Sequence, residues 1–143
     1  GFYLVLIGGL RFHNPNNIKR FNDEIQKRDH IKYLGIKTKN EIDIYYKSCQ
    51  FHILPSYIET PGISNLEASF YKKPIVVGNF PVLREYFSEN ATYTNFGYKS
   101  IFKSVSELVR SGLKKNNTDL SFCSKKAIEA EYIKQFLRLK NDI

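Results

Sequence analysis

Two glutamates in the middle of the chain, Glu59 and Glu67, have the residue type and spacing to hold a ligand rich in hydroxyl groups. They lie eight positions apart, and a Pro61-Gly62 turn stands between them. Carboxylates accept hydrogen bonds from hydroxyls, and the first backbone N–H groups of a helix are unpaired and attract phosphate. We therefore predict that this segment binds a phosphorylated, hydroxyl-rich ligand.

The apolar runs on either side of this pair predict the elements that hold it. Residues 51–54 and 75–77 are short apolar stretches of the kind that form buried strands, and a helix is expected to begin just after the turn. Gly62 carries no side chain, so a phosphate can approach its backbone closely. On the residues alone a second interpretation stays open, in which Glu59 is a solvated loop acid and Glu67 a surface acid of the helix.

Strands and helices are predicted to alternate along most of the chain. Asn14-Pro15 has the residues of a helix N-cap and first turn, and Thr38 with Glu41 forms a capping box. The unbroken apolar run at residues 2–7 is typical of a strand buried on both faces. The alternation predicts an α/β fold, a Rossmann-like parallel sheet with helices on both faces. The further predicted strands lie at 31–34 and 91–93, and the predicted helices at 14–27, 38–47, 82–87, 100–113 and 119–140, the last of them long.

The composition is that of one soluble globular domain. The chain has 143 residues, of which 42% are hydrophobic and 25% charged, enough for one core over residues 1–143. No apolar run reaches the ~20 residues needed to cross a bilayer. The first residues already form a predicted strand and no Met occurs, so we expect an excised segment of a longer protein. Cys49 and Cys123 have no metal-ligand spacing and are predicted to be unpaired thiols.

The net charge of +8 is compatible with nucleic acid, an acidic membrane surface or an anionic substrate as partner. The basic residues are scattered, and no RNA-binding or helix-turn-helix signature occurs. We therefore expect no nucleic-acid partner, while a weak attraction to anionic lipid stays open. The three histidines, His13, His30 and His52, lack the spacing of a metal site or a catalytic triad, and no metal is predicted.

Several motifs, taken in order, resemble those of a known enzyme family. The stretch from Leu54 to Pro74 reads LPSYIETPGISNLEASFYKKP, with LVLIGG before it and VVGNFPVLREYF after it. The pattern resembles the C-terminal, donor-binding domain of retaining glycosyltransferases with the GT-B fold, known as group 1 or family 4. The resemblance covers about residues 2–113. The matching positions of the central motif are Pro55, Ser56, Glu59, Gly62, Leu66, Glu67, Ala68, Lys73 and Pro74.

The resemblance implies a role for each candidate site residue. Glu59 is the catalytic candidate, beside the transferred sugar, and Glu67 would bind the ribose hydroxyls. The donor-binding residues would be Gly62, Ile63 and Ser64, whose amides face the diphosphate, and Gly35 and Lys37, in a loop near the base. The implied reaction moves a sugar, with retention, from a nucleotide-sugar such as a UDP- or GDP-sugar to a glycan, lipid or other acceptor. The family pattern requires no metal and no other cofactor, and surface-glycan biosynthesis is the expected process.

The resemblance also implies partners that this chain does not contain. In the family, an Arg and a Lys that hold the diphosphate precede the first strand; Arg11 and Lys19 follow it and are not equivalent. A separate N-terminal domain binds the acceptor. We therefore expect the isolated chain to be inactive and to bind the donor weakly at most. A cytoplasmic location is expected, with peripheral contact at the inner face of the membrane if the acceptor is a lipid or a surface glycan.

Functions of other classes stay open. Since a fold does not fix a function, the same scaffold is compatible with a non-catalytic nucleotide-binding module. The net charge is compatible with a basic interaction domain for nucleic acid or membrane, whose binding would fall steeply with salt. A nucleotide-sugar epimerase of similar fold would need further acid–base residues, and the sequence identifies none.

Overall fold

The computed structural model describes residues 2–11, 14–59 and 62–121 of the chain. Contacts divide the chain into two compact units, Gly1–Tyr45 and Tyr46–Ile143. The predicted long helix at 119–140 falls outside the described residues from position 122 onward. No helix in the described ranges combines the length and the hydropathy that crossing a bilayer requires.

The first unit contains two parallel strands and the helices that follow them. Strand β1 is paired with β2, with Leu4 opposite Ile31 at the start of the register. A parallel pair needs a crossover between its strands, and α1 supplies it. The bounds are β1 Leu4–Leu6, α1 Pro15–Gln26, β2 Ile31–Tyr33 and α2 Lys39–Ser48, the last of which runs on into the second unit.

Both helices of the first unit begin at the predicted residues. The Asn14 side chain accepts a hydrogen bond from the backbone N–H of Asn16 at 2.9 Å, and Pro15 is the first helical residue. At α2, the backbone N–H of Thr38 donates to the Glu41 carboxylate at 2.9 Å, and the Glu41 N–H donates to the Thr38 hydroxyl at 3.4 Å. The N-cap of α1 and the capping box of α2 are therefore confirmed.

The prediction that the first strand is buried on both faces is wrong for the described residues. The strand shortens to β1, and the side chains of Leu4 and Val5 are 39% and 41% exposed. The described sheet of this unit has two strands, so β1 has one hydrogen-bonded neighbour there. An apolar run indicates a strand, but it does not tell which faces other elements cover.

The second unit contains a three-stranded parallel sheet in the order β3-β4-β5. Its chain order alternates strand and helix, as predicted, and every paired strand in the described part of the chain is parallel, which confirms the α/β class. The bounds are β3 His52–Leu54, α3 Ile63–Phe70, β4 Ile75–Gly78, α4 Pro81–Phe87, a 3-10 turn Ser88–Asn90, β5 Thr92–Thr94 and α5 Tyr98–Arg110.

The core of the second unit is centred on β4. All four residues of this middle strand are buried, as expected where a sheet is covered on both faces. Helix α4 adds the fully buried Leu83 and Phe87, α3 adds Ala68, and α5 adds Leu108. The packed core therefore fixes the carboxyl ends of three neighbouring strands, and ligands of open parallel sheets bind at such ends.

Candidate functional site

The loop after β3 brings Glu59 against the start of α3. Gly62 caps the helix with φ +82° and no side-chain hydrogen bond. A Cβ at position 62 would lie 2.7 Å from the Glu59 Oε2 atom and 2.9 Å from the Asn65 Nδ2 atom. With a glycine at position 62, the carboxylate of Glu59 lies beside the helix N-terminus without having to shift.

The first backbone amides at the start of α3 have no hydrogen-bond acceptor among the described residues. The Gly62 carbonyl accepts from the amides of Asn65 at 3.0 Å and of Leu66 at 3.2 Å. The amides of Gly62, Ile63 and Ser64 have no hydrogen-bond acceptor within the described ranges. These N–H groups and the helix dipole together favour an anion at this end of the helix.

The two predicted acids sit on different elements of the second unit. Glu59 is half-buried in the loop after β3, and its carboxylate has no ion-pair or hydrogen-bond partner among the residues that the structure describes. Glu67 is half-buried inside α3, and its carbonyl accepts from the Tyr71 amide at 3.2 Å. The positions agree with the predicted loop and helix, and the roles of the two acids stay predictions.

A buried polar pair beneath this loop was missed by the sequence reasoning, which assigned no role to the Asn65 side chain. Asn65 is 0% exposed, and its side chain lies near the His52 ring in β3. Burial lowers the pKa of His52 to about 4, from 6.5, although the neighbouring Asn65 side chain opposes this shift. His52 is therefore neutral near pH 7. The sequence did carry a signal for a buried role of Asn65, because it lies on the same face of α3 as Ala68 and Ser69, which are also buried.

Gly35 and Lys37 lie in the first unit, in the loop after β2. The Gly35 carbonyl accepts from the Gly8 amide at 2.9 Å, and the Tyr33 hydroxyl donates to the Gly8 carbonyl at 2.8 Å. These bonds join the loops that leave β1 and β2. The Lys37 ammonium lies 3.2 Å from the Glu41 carboxylate. The lysine predicted to bind donor is thus held by the acid of the capping box.

A second set of polar side chains, those of Asn79, Arg84 and Asn95, lies where β4 and β5 end. The Asn79 side chain donates to the Asn95 Oδ1 atom at 3.2 Å and accepts from the Arg84 Nε atom at 2.8 Å. The Arg84 guanidinium also lies 4.2 Å from the centre of the Tyr93 ring, a distance at which a cation–π contact is favourable. Arg84 therefore braces the loop after β4.

No group of three or more His, Cys, Asp or Glu side chains in the described part of the chain is arranged to hold a metal ion. Cys49 is an unpaired thiol, as predicted, and burial raises its pKa. Cys123 and His13 lie outside the described residues.

The fold is that of a parallel α/β protein in which one loop acid, Glu59, lies beside the first amides of the helix that follows β3. The chain matches the family described as Glycosyl transferases group 1 over residues 1–129, and it belongs to that family. The expected family is confirmed.

A similar protein is the O-antigen chain mannosyltransferase RfbU of Salmonella typhimurium (strain LT2). The two are 26% identical over 111 residues, which cover 75% of this chain and 31% of that protein. The chain thus spans about a third of the length of this relative.

Proposed function

We propose that this chain is the nucleotide-sugar-binding part of a retaining glycosyltransferase. The observation that carries the proposal is the position of the Glu59 carboxylate, 2.7 Å from the point where a side chain at Gly62 would begin, at the open end of α3. This arrangement sets a hydrogen-bond acceptor for sugar hydroxyls beside donors for phosphate. A nucleotide diphosphate sugar has both kinds of group next to each other.

The chemistry that we propose is mainly electrostatic. When the bond from the sugar to the diphosphate breaks, negative charge grows on the leaving phosphate oxygens. The amides of Gly62, Ile63 and Ser64 would stabilise that charge without reorganising. Glu59 would hold the sugar beside them and stabilise the positive charge that develops on it, and Glu67 would hold the ribose hydroxyls. The family resemblance further assigns Gly35 and Lys37 to the loop near the base, and Lys37 would then exchange its Glu41 partner for the ligand.

The acceptor and the sugar are proposed from the comparisons. Because the similar protein is a mannosyltransferase, we propose a hexose as the transferred sugar, and mannose is the first to test. For the same reason, a surface polysaccharide is the first acceptor to test. A second domain outside this chain would supply most of the acceptor site. Neither a metal nor another cofactor enters the proposal.

The first experiment titrates the purified chain with UDP, GDP and their sugar conjugates by calorimetry. We expect saturable, weak binding that Glu67→Ala removes, and the better nucleotide names the base. A Glu107→Ala variant is the matched control, because Glu107 is an exposed helix acid that makes only a 3.9 Å ion pair with Lys103.

The proposal also needs a test on the full-length protein that carries this chain. There, Glu59→Gln should abolish sugar transfer while nucleotide binding persists. A non-catalytic binding module would keep its function in that variant. A protein that binds neither nucleotide in full-length form would contradict the proposal.

A further inference from the structure

Three aromatic side chains leave the carboxyl ends of the three neighbouring strands of the second unit. Tyr57 follows β3, Phe80 follows β4 and Phe96 follows β5. Because the strands are parallel, their outgoing loops meet at one edge of the sheet. The ring centres of Tyr57 and Phe96 lie 3.5 Å apart with planes 13° from parallel, and those of Phe80 and Phe96 lie 5.4 Å apart. We call these three residues the aromatic cluster.

One ring of the aromatic cluster stays open to solvent. Tyr57 is 69% exposed even though one face of its ring stacks on Phe96. Large aromatic side chains usually bury most of their surface. The stacking fixes the plane of the Tyr57 ring, so its outer face is a flat, apolar and preorganised surface. Surfaces of this kind, combined with a few polar groups, are typical of small-molecule sites.

Polar groups border the aromatic cluster. Asn79 and Asn95 directly precede Phe80 and Phe96, and their side-chain amides are hydrogen-bonded to each other at 3.2 Å. Arg84 holds Asn79 from the other side. Each amide has more than one donor or acceptor position, so the pair can also bind hydroxyl groups of a ligand at the rim of the cluster.

The aromatic cluster adjoins the loop that carries Glu59. At Gly78, the point where a Cβ would lie is 2.9 Å from both the Phe80 Cε2 atom and the Ser56 carbonyl oxygen. Phe80 therefore packs over Gly78 next to Ser56, in the loop that continues through Tyr57 to Glu59. Tyr57 and Glu59 are two residues apart, which spans at most about 7 Å of chain. This length is close to that of one sugar ring.

We propose that the aromatic cluster binds a sugar ring of the acceptor, next to the sugar that is transferred. The inference rests on the proposed function. A pyranose has a face of C–H groups, which would cover the Tyr57 ring, and a rim of hydroxyls, which the Asn79–Asn95 pair would bind. A nucleobase would also stack on an aromatic ring. We favour the sugar because the cluster adjoins Glu59, the candidate for the reacting centre, whereas the candidate ribose ligand Glu67 lies on α3.

The test measures saturation-transfer NMR on the purified chain with methyl α-mannopyranoside and methyl β-glucopyranoside, with GDP and UDP titrated in parallel. Tyr57→Ala should weaken glycoside binding about fivefold or more, whereas Tyr57→Phe, which keeps the ring, should preserve it. Phe102→Ala is the matched control, because Phe102 is a similarly exposed aromatic residue (73%) on α5. Nucleotide binding should be the same in all four proteins.

The outcomes separate this inference from the proposed function. Nucleotide binding without glycoside contact in the wild-type chain overturns the aromatic cluster as a sugar site and leaves the proposed function standing. Loss of nucleotide binding in Tyr57→Ala, with Tyr57→Phe unaffected, assigns the ring to the base and overturns the sugar site. Glycoside contact that is equal in wild type and Tyr57→Ala also overturns it. Glycoside contact that depends on the ring, without nucleotide binding, supports the sugar site, and the donor site is then decided by the full-length protein.

Discussion

The Glu59 Oε2 atom lies 2.7 Å from the point where a Cβ on Gly62 would stand. A real Cβ does not come this close to an oxygen, so with any other residue at position 62 the Glu59 carboxylate would have to shift. The same absent side chain leaves space for the Asn65 amide at 2.9 Å. The Glu59 carboxylate and the buried Asn65 side-chain amide therefore both lie next to the backbone of Gly62, where α3 begins.

Gly62→Ala should therefore lower both stability and nucleotide binding. The matched control is Gly112→Ala, because Gly112 has the same φ of +82° but nothing within 4 Å of its Cβ position. A left-handed alanine costs about 1–2 kcal/mol, and we expect Gly62→Ala to exceed the control by about 1 kcal/mol or more. Urea unfolding of both variants measures the difference. Equal losses would mean that the contact with Glu59 and Asn65 adds nothing.

Glu59→Gln should separate stability from activity. The carboxylate has no partner among the described residues, so the unfolding free energy should stay within about 0.5 kcal/mol of wild type. Sugar transfer by the full-length protein should fall by about 100-fold or more, as when a preorganised charge is removed from a reacting centre. Glu107→Gln is the control and should change neither quantity. A stable Glu59→Gln protein with normal transfer would show that this acid is not catalytic.

His52 should make the stability of the chain depend on pH between 6.5 and about 4. Its pKa in the folded chain is about 4 because the ring is buried, so the unfolded chain binds more protons in this window. Stability is complete above pH 6.5 and is lost as the pH falls toward 4, by about 3 kcal/mol if His52 acts alone.

The measurement is the unfolding free energy in urea across this range for wild type and His52→Gln, which cannot titrate. The slope should flatten in the variant, whatever its absolute stability. An unchanged slope would mean that other groups cause the pH dependence.

Glu41 should make the stability of α2 depend on pH at lower pH values than His52 does. Hydrogen bonds from the Thr38 backbone and hydroxyl, and then from Lys37, lower the pKa of Glu41 from 4.5 to about 2. Its contribution to the start of α2 is therefore present above pH 4.5 and is lost as the pH falls through about 2. Far-UV circular dichroism should show a loss of helix over this range that Glu41→Gln lacks. The pKa values of Glu24 and Asp119 are lowered as well, so the variant, rather than the wild-type curve, decides the assignment.

The sequence by itself determined the order of the elements and the starts of α1 and α2. Helix caps are local, since Asn14 and Thr38 bond to backbone groups two or three residues away, and these were predicted correctly. The alternation of apolar runs with helical segments was sufficient for the parallel α/β class. The family followed from motifs whose spacing is also local, around Glu59, Gly62 and Glu67.

The tertiary structure alone decided which distant residues meet. Tyr57, Phe80 and Phe96 are far apart in the chain, and only the order β3-β4-β5 brings their rings together. The exposure of β1 and the proximity of Asn65 to His52 depend in the same way on which faces other elements cover. An apolar or polar residue type fixes its own preference for burial, but the neighbour that buries it is chosen by packing across the whole unit.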